Sequence, residues 1–190
     1  MVDIKRGFLI SNKNAYAIAL TFPGEMEILM SRLREAFRPH LRSALLPHIT
    51  LVYAFLPAKS MESVINELEA VAAKTQPFRL TLEGIEYFQT VNNVAYIAIK
   101  NKDTVKAFMN EIVLAIRNDI TGYYAGDEYH PDHYIPHMTI GEKIPGHVFP
   151  EVKKRFAAYD IHREIEVTEF ALAGESGGLW QQLQTFKLRG

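Results

Sequence analysis

The chain contains no cysteine, and this absence excludes several kinds of chemistry. No disulfide, thiolate nucleophile, zinc ribbon or cysteine-held iron–sulfur cluster can form without that residue. A cysteine-free chain also fits the reducing conditions of the cytoplasm. Any catalysis must therefore come from other side chains.

Long apolar runs and a surplus of charge of either sign are also missing. The apolar run Phe8–Ile10 near the start is too short for a signal peptide. No segment approaches the roughly 18 consecutive apolar residues of a membrane span. The 21 basic and 22 acidic residues give a net charge of −1, whereas proteins that coat nucleic acid non-specifically are far more basic. We expect a soluble, cytoplasmic protein with no membrane partner.

The 190 residues, of which 48% are apolar and 23% charged, have the composition of a globular protein. Apolar periodicity predicts the element order β-α-β-α-β followed by β-α-β-α-β-β. Apolar stripes at helical spacing predict a helix from Met26 to Phe37, a helix from Met61 to Val71 with Ser60 as N-cap, and a helix from Val105 to Ile116 capped by Asp103. A short helix is predicted from about Pro150 to Ala158. One strand is predicted through Ile165 to Leu172, and a last one from Leu179 to Leu188.

Three pairs of segments repeat along the chain. AYAIALTF at Ala15 matches VAYIAIKN at Val94, LLPHITL at Leu45 matches YIPHMTI at Tyr134, and LTLEGIEYF at Leu80 resembles IEVTEFALA at Ile165. Similar offsets predict an internal duplication. We expect one bilobal α+β domain over residues 1–190, with lobe one at about 15–90 and lobe two at about 93–188. Exchange of strands between the lobes is an option.

The second repeat carries the chemistry, because it contains Pro47-His48-Ile49-Thr50 and its counterpart Pro136-His137-Met138-Thr139. Residues i and i+2 of a strand share a face, so each motif presents one imidazole and one hydroxyl together. Two imidazoles can act as general base and general acid near neutral pH. Hydroxyls can donate to the non-bridging oxygens of a phosphate. This set of groups suits displacement at a phosphodiester.

A chain of this length with two such motifs resembles the two-histidine (2H) phosphoesterase superfamily, which includes the 2′-5′ RNA ligase-like proteins and the RNA 2′,3′-cyclic phosphodiesterases. The resemblance covers roughly Ala15 to Leu188. It implies two pseudo-symmetric βαβ-type lobes around a cleft, antiparallel-rich sheets, outer helices and catalysis without a metal or cofactor. It also implies that His48 and His137 are the acid/base pair and that Thr50 and Thr139 hold the phosphate. The implied substrate is a nucleotide or RNA terminus with a 2′,3′-cyclic phosphate or 2′-5′ linkage. We expect a monomer with no stable protein partner.

Three alternatives stay open. The two histidines are equivalent in the sequence, so either one could be the base. The chain could be a non-catalytic nucleotide-binding or regulatory module of the same fold. A weaker option is a metal site in the loop that holds Asp127, Glu128, His130, Asp132 and His133, but Pro131 and Pro136 break the helical register that would align these ligands. We expect a solvated loop there.

Four further residues are candidate substrate contacts. Phe22, at a strand end, could stack on a base, and His133 and Tyr134 lie in the loop that runs into the second motif. Arg42 precedes the first motif and could attract a phosphate. Arg32 and Arg34 lie earlier, at the end of the first predicted helix, where cations are favoured for local electrostatic reasons.

Overall fold

The computed structural model describes residues 15–35, 46–89, 92–122, 133–177 and 179–190. Within these ranges the helices are α1 (Glu25–Glu35), α2 (Met61–Lys74), α3 (Lys102–Ile116) and α4 (Phe149–Phe156). The strands are β1 (Tyr16–Thr21), β2 (His48–Pro57), β3 (Phe78–Phe88), β4 (Asn93–Ile99), β5 (Ile120–Thr121), β6 (His137–Ile144), β7 (His162–Val167), β8 (Glu169–Ser176) and β9 (Leu179–Lys187). No helix of the described part is long and apolar enough to cross a membrane.

The helix starts show where local sequence decides the structure and where tertiary contacts do. The Ser60 hydroxyl accepts a hydrogen bond from the Ser63 amide at 3.1 Å, which confirms Ser60 as the N-cap of α2. The predicted cap at Asp103 is wrong, because α3 already begins at Lys102 with Asn101 as its N-cap. The Asn101 side chain instead bonds to β3, accepting from the Thr81 amide at 2.9 Å.

The strands form one antiparallel sheet in the order β7-β3-β4-β6-β2-β1-β8-β9, with β5 added beside β2. The sheet curls into a half-barrel that carries the four helices. The predicted α+β class with an antiparallel-rich sheet is therefore confirmed. The internal duplication stays a prediction.

Two details of the sheet differ from the sequence prediction. The single strand expected through Ile165 to Leu172 is divided at Thr168, because β7 pairs with β3 whereas β8 pairs with β1 and β9. The short strand β5 was not predicted, since two residues carry no periodicity.

The pairing also bears on how the two halves of the chain combine. Strand β3, from the first half, pairs with β4 and β7 of the second half. Strand β8, from the second half, pairs with β1 of the first. We propose that each lobe contains strands from both halves of the chain, with β2 and β6 at the junction.

One continuous apolar row fixes the centre of the sheet. Leu20, Ile49, Met138 and Ile97 are paired in sequence across β1, β2, β6 and β4, and all four are 0% exposed. Because side chains alternate between faces of a strand, burial of this row places its neighbours on the opposite face. On β2 and β6 those neighbours are the motif histidines and threonines.

Candidate active site

The two motifs meet where β2 pairs with β6. Ile49 is paired with Met138 in antiparallel register, so Thr139 lies beside His48 and His137 lies beside Thr50. Each of these four side chains is partly exposed, whereas Ile49 and Met138 between them are buried. The structure thus brings together on one face the four residues that the sequence nominated.

Both imidazoles are held in the same way. His48 Nδ1 lies 2.9 Å from the Leu46 carbonyl, and His137 Nδ1 lies 2.7 Å from the Ile135 carbonyl. Because a carbonyl can only accept, each Nδ1 carries the hydrogen and each neutral ring keeps Nε2 as its acceptor. The backbone two residues upstream therefore orients each ring and leaves Nε2 available for a proton transfer.

The surroundings favour the neutral form of both rings. Burial lowers the pKa of His48, and the Arg34 charge lowers it further, while the Leu46 hydrogen bond and the Glu142 charge oppose these effects. Burial likewise lowers the pKa of His137, the Ile135 bond opposes this, and the charge on His48 lowers it again. The last effect couples the titration of the two rings.

An aromatic pair packs against His137. The Phe88 ring lies 5.0 Å from the imidazole in an edge contact, and the Tyr96 ring lies 5.2 Å away. The two aromatic rings are 4.3 Å apart, and the Tyr96 hydroxyl donates to Glu86 at 2.9 Å. Burial, with this bond to Glu86, raises the pKa of Tyr96. Sequence reasoning did not identify this pair, since it depends on the register of β3, β4 and β6.

A cation from the first half of the chain also reaches the second motif. Arg34, on the last turn of α1, donates from Nε to the Ile140 carbonyl at 2.9 Å and from Nη2 to the Thr139 carbonyl at 3.0 Å. Burial lowers the pKa of this guanidinium. From the sequence, Arg34 was predicted only as a cation at the end of a helix, without a contact to the second motif.

The predicted substrate contacts occupy different environments. Tyr134 is 3% exposed and its hydroxyl donates to the Thr50 carbonyl. Phe22 is 6% exposed in the apolar core, although it also lines a groove with Thr21 and Met26. His133 is exposed, and Arg42 lies outside the described residues. As substrate contacts, all four stay predictions.

The loop considered as a metal site lies mostly outside the described residues. Of its five candidate ligands only His133 is described. In the described ranges no three His, Asp or Glu side chains converge on a point that could hold a metal ion. The motif face offers a neutral imidazole pair and two hydroxyls, which are groups for proton transfer and for hydrogen bonding to an anion.

Comparisons with known proteins show the family of the chain. The family model of the 2′-5′ RNA ligase superfamily matches residues 22–179. A protein of Bacillus thuringiensis (strain Al Hakam) named "Putative phosphoesterase" is 30% identical over 170 residues, covering 88% of this chain and 93% of its own length. A protein of the same kind from Bacillus cereus (strain AH820) is 31% identical over 170 residues. The chain belongs to the 2′-5′ RNA ligase superfamily, a family of two-histidine (2H) phosphoesterases.

Solved structures share the fold at lower sequence identity. E. coli LigT without ligand superposes with a TM-score of 0.67 at 17% identity, covering 95% of this chain and all of the other. TT0787 of Thermus thermophilus superposes with a TM-score of 0.66 at 19% identity, covering 93% of this chain and 98% of the other. At these identities the likeness shows a common architecture.

Proposed function

We propose that the protein is a metal-independent phosphodiesterase that opens a 2′,3′-cyclic phosphate or cleaves a 2′-5′ linkage at a nucleotide or RNA end. His48 and His137 act as general base and general acid, in either assignment. Thr50 and Thr139 hold the phosphoryl oxygens. Since a single chain supplies both motifs, we propose that it acts as a monomer. We also propose that it acts in the cytoplasm.

One observation carries this proposal. Both histidines use Nδ1 on a backbone carbonyl two residues upstream, at 2.9 and 2.7 Å, from neighbouring positions on two paired strands. A pair of rings that served only packing would not need the same tautomer on both sides of a strand junction. Two rings that each use Nδ1 on the backbone and keep Nε2 for proton transfer are what an acid and a base at one phosphorus atom require.

The reaction follows from these groups. Nε2 of one imidazole takes a proton from water as the water oxygen bonds to phosphorus. The bond between phosphorus and one ribose oxygen breaks, and the protonated Nε2 of the other imidazole gives its proton to that oxygen. The product of a cyclic substrate is a phosphate monoester beside a free hydroxyl. Each proton transfer contributes roughly 10² to 10⁴ in rate.

Substrate binding supplies the protonated ring. In the free protein burial favours two neutral rings, which gives a base but no acid. A phosphodiester anion placed between the rings favours a positive charge and raises the pKa of its nearer imidazole. The threonine hydroxyls donate to the non-bridging oxygens, where negative charge is concentrated in the transition state.

Similar folds are known with nucleotides bound, which supports a nucleotide substrate. E. coli LigT has been solved with 3′-AMP, and that structure superposes on this chain with a TM-score of 0.62 at 17% identity. A 3′-nucleotide is the kind of product that opening a 2′,3′-cyclic phosphate yields.

The proposal is tested with 2′,3′-cyclic AMP and a 2′-5′-linked dinucleotide, with and without EDTA. We expect turnover that EDTA does not abolish and that His48→Ala or His137→Ala removes almost completely. His147→Ala is the matched control, since this histidine lies outside both motifs. Full activity in either motif variant would contradict the mechanism. Tight binding without product would favour the nucleotide-binding module instead.

A further inference from the structure

The hydrogen bonds from Arg34 of α1 to β6 lie at an irregularity in the pairing of β4 with β6, directly after the second motif. Tyr96 of β4 pairs with Thr139 of β6, but the next residue on β4, Ala95, pairs with Gly141. One residue on β4 therefore faces two on β6, and Ile140 is the extra residue of a β-bulge. Bulges bend a strand and re-aim the neighbouring side chains.

Arg34 bonds to both residues of this irregular step. Its Nε–H donates to Ile140, the extra residue, and its Nη2–H donates to Thr139, whose side chain lies in the motif. Two donors of one rigid guanidinium fix both carbonyl positions relative to α1, as a single flexible ammonium could not. Strand β2 offers little support here, because its register with β6 contains the single pair Ile49 and Met138.

The charge of Arg34 is unusual for a group that only supports packing. Burial lowers its pKa, which means that the charged form has lost hydration. In the described part of the chain no carboxylate forms an ion pair with it, and its hydrogen bonds go to neutral carbonyls. A neutral side chain on α1 would pack there without that cost.

We propose that Arg34 is a positioning residue of the active site, which holds the bulge at Ile140 so that the Thr139 hydroxyl points at the phosphoryl group. This inference rests on the proposed function, because it gives Thr139 a role in turnover. Arg34 itself touches no reacting atom: it acts through the backbone of β6, and its charge also lowers the pKa of His48.

The test compares Arg34→Met, Arg34→Lys and Arg34→Ala with Arg32→Met in hydrolysis of 2′,3′-cyclic AMP. Arg32 is exposed on the same helix, so its variant matches the loss of charge. Misplacing a catalytic group by about 1 Å can cost about 10²-fold, so we expect kcat of Arg34→Met to fall about tenfold to 10²-fold. Arg34→Lys should lie between that variant and the wild type, KM should change less than kcat, and Arg32→Met should match the wild type.

Chemical rescue separates positioning from a structural role. In Arg34→Ala, guanidinium at concentrations far below denaturing should restore part of kcat, because the free ion can occupy the vacated space and donate to both carbonyls. A variant that is less stable but keeps normal kcat per folded molecule, or that is not rescued, would overturn the inference. If the Arg34 variants are fully active while the His48 and His137 variants are inactive, this inference fails and the proposed function stands. Activity in the histidine variants would defeat the function itself.

Discussion

The hydroxyl of Tyr134 connects the segment before the second motif to the backbone of the first. It donates to the Thr50 carbonyl, and the ring is 3% exposed. Tyr134→Phe removes only this hydroxyl, because the ring keeps its packing. The bond is partly buried, and an acceptor that loses its donor away from water costs about 1–3 kcal/mol. We expect the free energy of unfolding to fall by that amount.

The same variant distinguishes a structural bond from a substrate contact. If the hydroxyl serves only Thr50, KM for 2′,3′-cyclic AMP stays near the wild-type value and the urea midpoint falls. Tyr159→Phe is the control, since Tyr159 is 41% exposed and its loss of a hydroxyl should change neither quantity. A higher KM with unchanged unfolding free energy would refute this account and favour the direct substrate contact predicted from the sequence.

Further predictions concern the motif strands. Thr50→Val and Thr139→Val should each lower kcat by about 10²-fold, because each removes one donor to the phosphoryl oxygens; a fully active variant would exclude that role. Burial lowers the pKa of His48 and His137 below 6.5. The pH profile of kcat/KM should therefore be bell-shaped with its maximum below that pH. A maximum above about pH 7 would contradict the assignment of these two residues as acid and base. The same shifts mean that the unfolded chain binds these protons more tightly, so the stability they contribute is complete above about pH 6.5 and is lost as pH falls through the folded pKa values. The urea midpoint of the wild type should therefore fall relative to that of His48→Gln as the pH is lowered below about 6.5, and a difference that does not change with pH would contradict the shifts. Met138→Ala, at a position 0% exposed, should cost about 2–5 kcal/mol in urea unfolding, and a loss near zero would show that the central row is not packed.

The motif face could be predicted because it depends on local periodicity. Alternation along a strand requires only the sequence of that strand, and Ile49 and Met138, which alternate with the motif residues, are buried. The repeat of Pro-His-x-Thr then nominated His48 and His137 without any knowledge of the sheet order. The structure adds the register, which places the two motifs on adjacent antiparallel strands.

The supporting residues could not be predicted, because they depend on contacts between distant segments. Arg34 bonds to Ile140, 106 residues away, and in the sequence it looks like any cation near a helix end. Phe88 and Tyr96 reach His137 only through the register of three strands. Likewise, the Asn101 side chain bonds to β3, and nothing in the local sequence indicates this contact. Asp103 was therefore predicted as the cap.

The central claim is that one phosphoryl group lies between two imidazoles, and a crystal structure with a bound 2′- or 3′-nucleotide product tests it most directly. The account predicts that Nε2 of His48 and Nε2 of His137 both lie within about 2.6–3.2 Å of oxygens of the same phosphate, with the hydroxyls of Thr50 and Thr139 on its remaining oxygens. A phosphate held away from either ring, such as in the groove beside Phe22, would contradict the account.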